Sequence, residues 1–121
     1  MDDPTNKIYC LSTCDTCNRI LKEIQAKKKG FLLQDIKTEK ISPAQLDALK
    51  HLTGSYESLF SRRALKYKEM GLKDKQLTEE DYRRLILEEY TFLKRPVAVI
   101  RGKAFVGSEA ATVAALKKAV K

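Results

Sequence analysis

A single histidine, His51, is all the imidazole in this chain. Hydrolysis by a Ser-His-Asp arrangement needs a histidine set between a nucleophile and a carboxylate, and nothing in the sequence arranges His51 so. It lies in a different predicted helix from the cysteines, and no fourth ligand stands at zinc-like spacing, so no metal site is expected. Glycine is sparse, five residues in 121, and no glycine-rich phosphate loop is among them. Proline is sparser, three residues. No Pro/Gly linker, repeat or low-complexity tract divides the chain, whose length suits one domain, 1–121. Apolar runs extend for only a few residues, against the roughly 20 that a membrane helix needs. The start, Met1-Asp2-Asp3-Pro4, is acidic and lacks the apolar centre of a signal peptide. The expected location is therefore the cytoplasm, where three cysteines are free or catalytic thiols rather than a disulfide framework.

Charge is the surplus. Lys and Arg number 24 against 16 Asp and Glu, a formal net charge of +8. Such a surface keeps a protein in solution and suits an anionic partner, whether an oxyanion or an acidic protein face. No basic stripe with interleaved aromatics and no nucleic-acid motif is present, so direct DNA or RNA readout is not expected. The run Lys27-Lys28-Lys29 reads as a solvated helix end.

The cysteines carry the chemistry. Cys14-Asp15-Thr16-Cys17 follows a short apolar run ending at Cys10 and opens an amphipathic segment. That order reads as strand, tight loop, helix start. A thiol at a helix N-terminus faces unpaired N–H groups and the positive end of the helix dipole. Both favour the thiolate, the form that attacks disulfides and electrophiles. A second thiol three residues on can resolve the covalent intermediate. Cys17 also lies on the apolar stripe of its helix, so a core position competes with a redox role. Cys10 ends a predicted central strand and reads as structural, with a third redox thiol as its alternative. The three cysteines together have the spacing of radical-SAM cluster proteins, but those need a much larger barrel.

The rest of the chain supplies a frame. Ile8–Cys10 is a predicted strand, Asp15–Lys29 a helix stopped by Gly30, and Phe31–Ile36 a second, buried strand, joined by a parallel crossover. Ser42-Pro43-Ala44-Gln45 is a helix start with a capping box, Leu46, Leu49 and Leu52 its buried stripe, and Gly54 its end. Ala64–Met70 and a segment from Thr78, with Tyr82, Leu85 and Ile86 inward, are further helices. Val97–Ile100 and Ala104–Val106 form a hairpin across Arg101-Gly102-Lys103. Ser108 would cap a last helix with Val113, Leu116 and Val120 inward. The pattern is βαβ, a helical block, then ββα: an α/β, thioredoxin-like fold with a mixed four-stranded sheet and a helical insertion at about 42–90. Pro96 precedes the third strand, where such folds place a cis-proline opposite the reactive cysteine. Its neighbour Arg95 brings a guanidinium that matches a thiolate or an oxyanion.

The blocks Ile8-Tyr-Cys-Leu-Ser-Thr-Cys-Asp-Thr-Cys17, Ser61-Arg-Arg63, Tyr67-Lys-Glu-Met-Gly-Leu72, Phe92-Leu-Lys-Arg-Pro96 and Val106-Gly107 stand in an order and spacing that resembles the arsenate reductase (ArsC)/Spx family over nearly the whole length. The resemblance implies that Cys14 is the nucleophile and Arg95 an oxyanion-binding, thiolate-stabilising arginine, with Arg63 or Arg62 as another. Two family positions differ: the histidine four residues before the nucleophile is Cys10, and a third arginine, after the hairpin, falls at Gly107. These departures bring the chain closer to the ArsC-related and Spx-like branch than to strict arsenate reductases. The second cysteine, Cys17, is the Spx pattern, in which the pair forms a regulatory disulfide. The expectations that follow are a monomeric thiol–disulfide oxidoreductase with no bound cofactor, reset by glutathione, glutaredoxin or thioredoxin. The rival expectation is a redox-sensing regulator that binds the RNA polymerase α subunit.

Overall fold

The computed structural model describes residues 6–120. The acidic start Met1–Pro4 lies outside the described residues. The chain divides into two compact units, one made of residues up to Glu39 together with those from Arg95 on, the other of Lys40–Lys94.

The first unit is built on a four-stranded mixed sheet in the order β2-β1-β3-β4. Strands β1 (Lys7–Cys10) and β2 (Leu32–Asp35) are parallel, with Cys10 opposite Asp35. Strand β3 (Val97–Ile100) is antiparallel to β1 and to β4 (Lys103–Val106). Lys103 pairs with Ile100, so the hairpin turn is Arg101-Gly102 alone. Both turn residues have positive φ, 49° and 79°, as a tight turn between twisted strands requires. Helices α1 (Asp15–Glu23) and α5 (Ala110–Val120) complete the unit. Its core is Ile8, Cys10, Cys17, Ile20, Ile24, Phe31, Ala98, Ile100 and Leu116, with Val113 and Val120 packed against it.

Helix α1 ends six residues before its expected stop. Gln25 takes the left-handed conformation, φ 56°. The Gln25 N–H then donates to Lys22 O and the Ala26 N–H to Leu21 O, both about a normal bond length at 3.1 and 3.0 Å. That is a Schellman closure without glycine. Ala26, buried, and Leu21 are the apolar pair that accompanies such a closure, and Phe31 enters the core behind them. Burial of this return segment outweighs the cost of a left-handed glutamine, which periodicity along the helix does not register. The lysines 27–29 thus lie beyond the helix, in turns. Lys29 Nζ donates to Val120 O at 3.2 Å.

Strand β2 is also less buried than its composition indicates. It is an edge strand, and Leu32 is 55% exposed. Helix α5 begins at Ala110, two residues past Ser108, so Glu109 and not Ser108 immediately precedes it.

The second unit holds α2 (Pro43–Thr53), α3 (Leu65–Glu69) and α4 (Glu79–Glu88) with three single 3₁₀ turns. The capping box at Ser42 forms in both directions, Gln45 N–H to Ser42 Oγ at 3.1 Å and Ser42 N–H to Gln45 Oε1 at 3.0 Å. Gly54 closes the helix in the left-handed region. Replacing Ser42 by alanine should cost about 1 kcal/mol in urea unfolding; an unchanged midpoint would show that Gln45 alone holds this start. Thr78 and Asp81 make the equivalent box for α4. Leu46 and Leu49 are buried, but Leu52 is 41% exposed, because steps of three fall behind a 3.6-residue turn and rotate it off the face. Phe60 centres the unit's core, 4.9 Å from the rings of Phe92 and Tyr82. No helix among the described residues is long and apolar enough to cross a membrane.

Candidate active site

The loop after β1 delivers Cys14 to the first turn of α1. Cys14 occupies the N-cap position with extended backbone, φ −96° and ψ 111°. Its own N–H donates to Leu11 O at 2.9 Å, which makes the loop a tight turn. Cys17, three positions on, stands where a cap's partner N–H lies. All three cysteines are free thiols: Cys14 is partly exposed, while Cys10 and Cys17 are buried.

The two members of the pair are driven in opposite directions. Burial pulls the Cys14 thiol upward, but the Cys17 N–H, the Cys17 thiol and the Arg95 guanidinium together outweigh it. The net effect holds Cys14 below the ordinary thiol value. Cys17 is pushed up to about 12, first by burial and then by the hydrogen bond it gives to Cys14. A negative charge at the pair therefore settles on the outer sulfur, and the inner sulfur keeps its proton. Cys10 is raised too, by burial and by the Asp35 carboxylate, and its S–H donates to Gln34 O at 3.6 Å.

Arg95 arrives from the residue before Pro96, at the entry to β3. The Arg95–Pro96 peptide is cis. The guanidinium both hydrogen-bonds the Cys14 sulfur and attracts its negative charge. Of the candidate residues, Cys14, Cys17 and Arg95 are thus brought together. Pro96 and Cys10 belong to the same unit. Arg62 and Arg63 belong to the other, at the turn after Phe60. There Arg62 is engaged by the Glu57 carboxylate at 2.7 Å and gives a hydrogen bond to the Tyr82 hydroxyl at 3.0 Å. Arg63 is exposed.

Two groups that sequence reasoning passed over hold the thiol loop. Asp35 is kept below the usual carboxylate range chiefly by the Ser12 hydroxyl, with help from backbone N–H groups of Lys37 and Ser12 against the opposing effect of burial. Asn18 Nδ2 donates to Ser12 O at 3.0 Å from the other side. Ser12 is thereby tied to the end of β2 and to α1 at once. A signal existed for Asp35: it ends a strand parallel to β1, and the carboxyl ends of parallel strands are where such sheets build sites. Among the described residues no three His, Cys, Asp or Glu side chains converge as a metal ion would require.

The family model described as the ArsC family matches residues 9–116. No curated protein matches the sequence. Solved structures do match in fold. The YFFB (PA3664) protein is 21% identical, with a TM-score of 0.79 over 97% of this chain and 100% of its own. The arsenate reductase from Vibrio cholerae is 20% identical, with a TM-score of 0.72 over 85% of this chain and 89% of its own. The arsenate reductase (ArsC) related protein from Brucella melitensis is 22% identical, with a TM-score of 0.68 over 95% and 96%.

Proposed function

The chain belongs to the ArsC family, and from that premise we propose that it is a thiol-based reductase in which Cys14 is the nucleophile and Cys17 the resolving thiol. One observation carries the reading: the partly exposed cysteine of the pair is held low, beside Arg95, while its buried partner is held high. That asymmetry supports the following order of events. The Cys14 thiolate attacks a sulfur of an oxidised substrate, a disulfide or a glutathione adduct. A Cys14–S bond forms, the substrate S–S bond breaks, and one thiolate leaves. Cys17 then gives up its proton and attacks the Cys14 sulfur, releasing the second thiolate. The substrate has gained two electrons and the pair has lost them as a Cys14–Cys17 disulfide. An external dithiol or two glutathione thiols return the electrons. An arsenic oxyanion is the alternative substrate that the family supplies; Arg95 is the residue that would bind it. The absence of the family's histidine at Cys10 and arginine at Gly107 weighs toward sulfur substrates.

Thiol trapping across a glutathione redox series tests the mechanism. A single two-electron transition for the Cys14–Cys17 couple is expected. Absence of a disulfide at every poise would reduce Cys14 to a lone nucleophile and overturn the resolving role of Cys17.

The two-residue spacing between the cysteines also favours a second reading, a redox-sensing regulator that binds the RNA polymerase α subunit. A pull-down with α subunit separates the two. Binding that depends on oxidation, without turnover, supports the regulator; turnover without binding supports the enzyme.

A further inference from the structure

The early stop of α1 builds a groove. Leu21, Ala26 and Leu33 form its apolar floor, and Lys22, Lys27 and Lys28 stand along it, around a cavity of about 470 Å³. The Schellman closure turns Lys27 and Lys28 back beside Leu33. None of the three lysines has a carboxylate partner among the described residues, although one ion pair forms elsewhere on the same unit, between Lys117 and Glu23 at 3.6 Å.

The groove runs beside an open sheet edge. Among the described residues β2 pairs only with β1. Its ladder bonds include the Leu32 N–H to Asn6 O and, one residue past the strand, the Ile36 N–H to Cys10 O. Alternation therefore sends the Leu33 N–H and C=O outward; on either side the chain spends its own outward groups, the Phe31 N–H on Ala26 O at 3.0 Å and the Asp35 C=O on the Thr38 and Glu39 N–H groups, so pairing to a partner is centred on Leu33. Edge strands are normally blunted by lysine, proline or a bulge within the strand. The opposite edge strand, β4, starts with Lys103, whereas β2, as short as β4, carries its one charge, Asp35, at its end and leaves the middle of the strand, Leu33, without lysine, proline or bulge. Leu32, on the other face of the strand, is exposed as well.

We propose that the edge of β2 and the adjoining groove dock an extended, acidic segment of a partner protein, with an apolar side chain against Leu21, Ala26 and Leu33 and carboxylates against Lys22, Lys27 and Lys28. Main-chain pairing to an open edge supplies affinity, and side-chain pockets along it supply choice. The three lysines select the sign of the partner, and the apolar floor distinguishes a peptide from a polyanion without side chains. The site does not involve Cys14 or Arg95, so it stands or falls independently of the redox reading.

The test uses the full chain and a fluorescein-labelled peptide of about ten alternating glutamates and leucines. Binding is followed by anisotropy, and the contact is mapped by amide chemical shifts. Saturable binding is expected, with the largest shifts at Leu33 and its neighbours. A Lys27→Glu, Lys28→Glu double variant, both positions exposed, should weaken it about tenfold. Absence of binding would overturn the proposal. So would equal affinity in the double variant, shifts centred elsewhere, or equally tight binding of a single-stranded oligonucleotide of the same charge, which would reveal a general polyanion surface.

Discussion

Serine in place of Cys14 is expected to abolish the proposed disulfide reduction, a loss of more than about 10³-fold, because an alcohol stays protonated where a thiol held below its ordinary value can ionise. The expectation is measured as turnover of a mixed glutathione disulfide with the protein's folding checked by circular dichroism. Cys17→Ser behaves differently. Its Cys14 still attacks, so one equivalent of thiol is released in a burst and the protein is left as a stable Cys14 adduct visible by mass spectrometry. Cys10→Ser retains most of the activity, since Cys10 is buried and its thiol is held up by burial and by Asp35. If Cys10→Ser were as damaging as Cys17→Ser, the resolving role would have to pass from one thiol to the other. A Cys14→Ser protein with turnover intact would remove the mechanism altogether.

Arg95→Gln is expected to lower turnover by about 10²-fold, the usual range for removing one preorganised donor from a developing or fixed anion. The sign of the accompanying pH effect follows from charge. In the native protein burial opposes ionisation of Cys14, and the Cys17 N–H, the Cys17 thiol and then Arg95 overcome it. Removing the guanidinium leaves burial less opposed, so the thiol ionises at higher pH. Alkylation by iodoacetamide should therefore rise through its midpoint at lower pH in the native protein than for a free thiol, ordinarily about 8.5. In Arg95→Gln that midpoint should move upward. Arg95→Lys keeps the charge but loses the planar fork, and should restore the midpoint better than the turnover. A variant whose alkylation profile coincides with the native one would show that the helix start and Cys17 suffice, and that Arg95 acts on substrate alone.

Most of the frame could be read from local pattern. The capping box at Ser42, the start at Thr78 and the hairpin at Arg101-Gly102 are each decided by residues within a few positions of one another. The parallel placement of β1 beside β2 follows from the strand–helix–strand order, and the pair of cysteines at a helix start follows from spacing alone. What could not be read depends on distant partners. Gly30 looked like the stop of α1, but Ala26 and Phe31 had a core to enter, and the helix ended at Glu23 to let them. Leu32 and Leu52 looked buried because they are leucines in apolar stretches; one lies on a sheet edge and the other has rotated off its helix face.

The candidate site divides in the same way. Sequence order alone determines that this chain carries two thiols at a helix N-terminus, an Arg-Pro step before a hairpin, and the blocks of the ArsC family. Only tertiary structure decides that Cys14 is the more exposed member, held below the ordinary thiol value, and Cys17 the buried one, held above it, because a thiol's charge answers to water and to neighbours from other elements. It likewise brings Asp35 from the end of β2 to hold Ser12, and leaves an apolar groove lined by three lysines where the helix stops short. Periodicity reports which face of an element is apolar; it carries no information on what arrives from the rest of the chain to meet that face, and both the pair's asymmetry and the groove are made by such arrivals.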